Sequence, residues 1–66
     1  MAVLKVIEIL SNSSESWEDA TKRAVQTASK SVKNIRSVYI KEQTGTVSGD
    51  KITDYRVNVK ITFEVD

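Results

Sequence analysis

The groups in this sequence able to do chemistry are carboxylates, one tryptophan, two tyrosines and dispersed cations, with neither His nor Cys among them. Lacking those two types, the chain cannot build a base-activated thiol, a serine–histidine pair or an imidazole or thiolate metal site. It also has no G-x-S-x-G turn, no glycine-rich phosphate loop and no D-x-D-x-D-G calcium loop. Glu42 or Asp54 has the chemistry of an acid–base group, but nothing around either marks it out, so no enzymatic activity is expected. Asp50, Asp54, Glu64 and Asp66 are carboxylates that symmetry in an oligomer would be able to gather on an axis around a cation. Arg56 suits a phosphate of a nucleotide or of coenzyme A, or an ion pair with Glu42 or Glu64 across strands or subunits. The ion pair is the expectation, because charges on a strand face find local partners.

The elements that must position these groups follow from hydrophobic periodicity. Val3 to Leu10 is rich in β-branched residues and apolar on both faces, which predicts a strand covered on both sides. Ser11-Asn12-Ser13-Ser14 breaks that run. Ser16 then stands three residues before Asp19, the pattern of a helix N-cap, with Ser13 as a competing cap. Trp17, Ala20, Thr21, Ala24, Ala28, Val32 and Ile35 recur at spacings of three and four, which predicts an amphipathic helix of about five turns. Its acidic start (Glu15, Glu18, Asp19) and basic end (Lys30, Lys33, Arg36) suit the helix dipole. The mostly alanine stripe lets the helix lie close to a sheet. Asn34 is the expected breaker, and Val38 begins a second strand that runs to Val47. Ser48-Gly49-Asp50 supplies the turn. In the third strand Tyr55, Val57, Val59, Ile61, Phe63 and Val65 face one way, while Asp54, Arg56, Asn58, Lys60, Thr62 and Glu64 face the other.

The order is β-α-β-β, an α+β fold in which three antiparallel strands wrap one helix and the first strand pairs with the third. Trp17, in the first helical turn, is expected to pack as a hydrophobic staple against Leu10 or Ile9. Tyr39 and Tyr55 are expected to pack on the sheet.

With 66 residues the chain reads as a single domain over 1–66, and a domain this small buries only about 60% of the surface its unfolded chain exposes. The composition excludes disulfides and a His or Cys metal site, which leaves oligomerisation as the expected source of stability. The formal charge is +1, from ten Lys and Arg against nine Asp and Glu. The basic residues are spread out, so no nucleic-acid footprint is visible. No apolar run approaches the ~18 residues of a membrane span. A cytoplasmic protein with no nucleic-acid or membrane partner is expected.

Pieces along nearly the whole chain resemble the dodecin family. These are Lys5-Val6-Ile7-Glu8-Ile9; Ser13-x-x-Ser16-Trp17-Glu18-Asp19-Ala20; Ala24-Val25 and Ala28; Ser31-Val32-x-Asn34-Ile35-Arg36; Val38 with Glu42-Gln43; Gly49-x-Lys51-Ile52; Tyr55-Arg56-Val57; and Val59-Lys60-Ile61-x-Phe63. No single piece is diagnostic; their order within so short a chain is. The resemblance implies a hollow homododecamer with helices outward and sheets lining the interior. It further implies a non-enzymatic role in binding or storing a small molecule, the family ligand being flavin as FMN, riboflavin or FAD.

The resemblance also implies the ligand residues. In flavin-binding dodecins an aromatic residue just after the helix stacks on the isoalloxazine, and a glutamine on the third strand bonds its polar edge. Those positions are Ser37 and Arg56 here. Glu42 or Gln43 matches the acidic or polar residue the family uses early in the second strand. Serine offers no π-face, and a guanidinium only donates. A structural assembly, or one that binds an ion or nucleotide, is therefore the alternative to a flavin shell.

Overall fold

The computed structural model describes residues 2–65. The element order is β1 (Val3–Ser13), α1 (Trp17–Ala28), β2 (Ile35–Ser48) and β3 (Lys51–Val65). The strands form one antiparallel sheet in the order β1-β3-β2, and this is the expected β-α-β-β fold. Since β3 lies between the other two, β1 and β2 both present a free edge. The β1–β3 pairing ends at Ser13 opposite Tyr55. By contrast, β2–β3 pairing continues to Ser48 opposite Lys51, so the hairpin projects as an arm. The molecule is accordingly long and flat, 51 × 19 × 12 Å.

One side of the sheet carries the helix. Ala20, Ala24 and Ala28 of α1 press on Val57, Val59 and Ile61 of β3, and these six form the buried core among the described residues. The alanine stripe sets this geometry, because methyl side chains let the helix axis approach the strands. Alanines bury little area, so the three β3 side chains carry most of the burial, roughly 1.5–3 kcal/mol each. Ile7, Ile9, Trp17, Val25, Val32 and Ile35 pack around them.

The helix starts where its sequence says. Ser16 is the N-cap, and its hydroxyl accepts from the Asp19 N–H at 2.9 Å. The competing cap, Ser13, is engaged elsewhere, as its hydroxyl donates to Asp19 Oδ2 at 2.6 Å and accepts from the Glu15 N–H at 2.9 Å. The helix stops earlier than expected, at Ala28, with Ser29 as C-cap. At that point the Ser29 hydroxyl donates to the Gln26 carbonyl, and the Lys30 N–H bonds to the Thr27 carbonyl in a tightened turn. Serines that compete for backbone groups in this way end helices. Lys30, Lys33 and Arg36 therefore lie beyond the helix, whose last turn has no basic residue. Val32 and Ile35 still reach the core, from the connection and from β2. Asn34, expected to break the helix, lies six residues past its end and instead turns the chain into β2 with φ 62°, and Gly49 turns the hairpin with φ 65°. No helix in the described residues is long and apolar enough to cross a membrane.

Candidate ligand-binding face

Strand register divides the candidate residues between the two sides of the sheet. Even-numbered residues of β3, from Asp54 to Glu64, point away from the helix. Their direct partners on β1 are Leu4, Val6, Glu8, Leu10 and Asn12. On β2 the alternation is interrupted. Register shifts fall between Ile35 and Ser37 and between Ile40 and Glu42, which makes Arg36 and Lys41 bulge residues. Each bulge sets two residues against one and so reverses which face the following residues share. As a result Ser37, Tyr39, Glu42 and Thr44, opposite Thr62, Lys60, Asn58 and Arg56, lie on the helix-distal face. Gln43, opposite Val57, is on the helix side. Of the four expected ligand residues, the fold places Ser37, Glu42 and Arg56 on one face and Gln43 on the other.

Glu42 and Arg56 line a depression of about 180 Å³ together with Leu10, Thr44 and Asn58. Arg56 does not form the expected pair with Glu42 or Glu64. Its Nε donates to Asn12 Oδ1 at 3.0 Å, and Glu64 takes Arg36 instead, also at 3.0 Å. Register explains the difference: Asn12 is the direct partner of Arg56, Glu42 lies opposite Asn58, and Glu64 is far along the strand. The floor of the depression contains an unusual group, since Asn58 Oδ1 is buried and has no hydrogen-bond partner within the chain. An acceptor in that state calls for a donor or a cation from outside. Beside it, hydrogen bonding from the Asn58 side chain holds Glu8 below the ordinary carboxylate range, helped by Lys41, whose Nζ is 3.6 Å from the Glu8 carboxylate.

Ser37 is not part of this depression. It sits opposite Thr62, six residues along β3 from Arg56, or about 20 Å at the usual strand rise. One chain therefore does not bring the two family positions together. Among the described residues Tyr39 is the ring on the helix-distal face, and it is 64% exposed, not packed down on the sheet as expected. Tyr55 is on the helix side, where Trp17 meets it edge-on with ring centroids 4.9 Å apart. Trp17 also donates from Nε1 to the Thr44 carbonyl at 2.8 Å. It packs on the hairpin; of the two expected staple partners, Leu10 is 66% exposed, while Ile9 packs around the same core as Trp17. Gly45 makes room for the indole: a Cβ there would lie 3.6 Å from Trp17 Cζ2 and 3.2 Å from Ile52 Cγ2. Among the described residues no three acidic side chains converge on a cation position; Asp66 lies outside the described residues. Asn58, Asn12 and Leu10 were not singled out from sequence. The alternation that placed Arg56 on a polar face places Asn58 there too, two residues on, and was the signal that could have found it.

The family model for dodecins matches residues 3–66. The chain belongs to the dodecin family. Its similarity to the calcium dodecin of Mycobacterium tuberculosis is 44% identity, over 98% of this chain and 92% of that protein. The crystal structure of that calcium dodecin superposes with a TM-score of 0.81 at 40% identity, covering 97% of this chain and 91% of the other. A variant of the T. thermophilus dodecin superposes more closely, with a TM-score of 0.93 at 26% identity over 100% and 98% of the two chains.

Proposed function

We propose that this dodecin is a non-catalytic homododecameric shell that holds a small ligand against the helix-distal face of its sheet, at the depression between Glu42, Arg56 and Asn58. The observation that carries the shell is the balance of apolar surface. Among the described residues six apolar side chains are buried, three of them alanines, while nine large ones are exposed. A chain with more large apolar groups outside than inside has its burial completed by copies of itself.

Flavin, whether FMN, riboflavin or FAD, fits one chain poorly. The depression is smaller than the roughly 300 Å³ of the smallest drug-sized pockets, and Ser37 supplies no ring. Arg56 offers only donors where an amide would offer both donor and acceptor. We propose that flavin binds weakly. An ion is the second reading, favoured by the orphaned Asn58 oxygen and by the calcium named for the M. tuberculosis relative. Calcium takes six to eight oxygen ligands. The two carboxylate oxygens of Glu42 and the Asn58 Oδ1 account for at most three, so a calcium site there needs oxygens from further copies.

Titration of riboflavin, followed by quenching of its fluorescence, and of calcium into chelator-treated protein, followed by calorimetry, tests both. Riboflavin quenching is expected only at micromolar concentrations or above. Nanomolar quenching by the unmodified protein would overturn the weak-flavin reading.

A further inference from the structure

The depression on the helix-distal face holds two opposite charges that do not meet. Glu42 and Arg56 both line it, and neither takes part in an ion pair among the described residues. Strand pairing keeps them apart: Glu42 stands opposite Asn58, and Arg56 opposite Thr44, one step further along the same face. Arg56 is also tethered to β1 by its Nε bond to Asn12 Oδ1 at 3.0 Å, which leaves its Nη donors free. The nearby Glu8 adds no free charge, because Asn58 and Lys41 engage its carboxylate. That engagement also orients the floor of the depression. With the Asn58 amide nitrogen directed at Glu8, the amide oxygen, buried and without a partner, is turned away from it.

We propose that the depression binds a small zwitterion with an apolar side, the chemistry of an aliphatic α-amino acid. Its carboxylate sits on the Arg56 guanidinium, its ammonium on Glu42 and Asn58 Oδ1, and its side chain against Leu10. The proposal rests on the ligand site proposed above and names the class of molecule that site takes. Charge decides among the classes. A phosphate or other simple anion satisfies Arg56 but faces the Glu42 carboxylate, and when fully ionised it brings no donor for the Asn58 oxygen. A bare cation meets the reverse conflict, with Arg56. A zwitterion satisfies both charges at once and supplies the missing N–H. Size agrees, since about 180 Å³ is roughly the share of six water molecules in the liquid, room for a molecule of that order and not for a fused ring system. Leu10 lines the same depression and is 66% exposed, so an aliphatic side chain has apolar surface to cover.

Ligand-observed NMR titration of the unmodified protein tests the proposal with three probes. L-leucine carries both charges, N-acetyl-L-leucine keeps the carboxylate without the ammonium, and L-leucinamide keeps the ammonium without the carboxylate. Leucine is expected to bind, and each blocked compound to bind about tenfold more weakly or worse, the loss of one charge-assisted contact. Two variants assign the contacts, with native mass by light scattering and far-UV circular dichroism as controls for assembly and folding. Glu42→Gln should weaken leucine and leucinamide but not N-acetyl-leucine. Arg56→Gln should weaken leucine and N-acetyl-leucine but not leucinamide. No binding of leucine, or three probes bound alike, would overturn the proposal. Riboflavin and calcium titrations that are also unchanged in both variants would overturn the ligand site itself, so the two failures are distinct.

Discussion

Trp17 joins the helix start to the hairpin arm, and comparing its Ala and Phe variants separates the ring's contribution from that of its N–H bond. Trp17→Ala deletes the edge-on contact with Tyr55, the Nε1–H bond to the Thr44 carbonyl and the indole area laid over Gly45. The ring pair contributes about 0.5–1.5 kcal/mol beyond its area, and the hydrogen bond about 1 kcal/mol. The indole is half-buried, so the area lost is partial. The total is placed near 3 kcal/mol, the low end for a Trp→Ala change. Trp17→Phe keeps a ring against Tyr55 and loses the N–H; the Thr44 carbonyl is in an exposed position and regains water, so about 1 kcal/mol is expected. Urea unfolding followed by circular dichroism is the assay, at one fixed chain concentration because assembly makes the midpoint concentration-dependent. Two results would refute the reasoning: an Ala variant within about 0.5 kcal/mol of the parent, or a Phe variant as damaged as the Ala variant.

Asp19 sets a pH dependence. The Ser13 hydroxyl first and Arg23 second hold its carboxyl below the ordinary 3.8. The folded value is depressed, so the stability it contributes is complete above the unfolded value and is lost as pH falls through the folded one. Asp19→Asn should flatten that stretch of the acid-unfolding curve, and an unchanged acid limb would contradict the linkage. At the left-handed positions, Asn34→Gly should be nearly neutral in thermal unfolding, while Asn34→Val and Gly49→Ala each cost about 1–2 kcal/mol. Equal effects of Gly and Val at position 34 would show that backbone conformation is not what matters there. For the ligand face, Ser37→Trp should increase riboflavin quenching by the assembled protein, and Arg56→Gln should increase it further. No gain from the double variant would mean that these two positions do not meet a flavin.

The fold was legible in sequence because its signals are local. Alternation from Asp54 to Val65 gave β3 and both of its faces, and Ser16 three residues before Asp19 gave the helix start. The helix end was not legible. Val32 and Ile35 continue the apolar spacing past Ala28, while the Ser29 hydroxyl's bond to the Gln26 carbonyl, at the point where the helix stops, forms only in the folded chain. The site was legible in part for a related reason. Arg56 and Asn58 inherit their face from a regular strand, but Glu42 and Gln43 lie after a bulge at Lys41 that no residue type announces. Their assignment to opposite faces needs the pairing itself. The partner of Arg56 was missed because Asn12 is distant in sequence and was read as a turn residue, whereas β1 runs on to Ser13 and sets it directly across.

In the proposed shell, each chain completes its core with copies of itself. Light scattering on the purified protein in-line with gel filtration, at micromolar chain concentration, measures that completion most directly. The expected mass is twelve times the 7.4 kDa of the chain, unchanged on dilution across that range. A stable species of one or two chains would contradict the account.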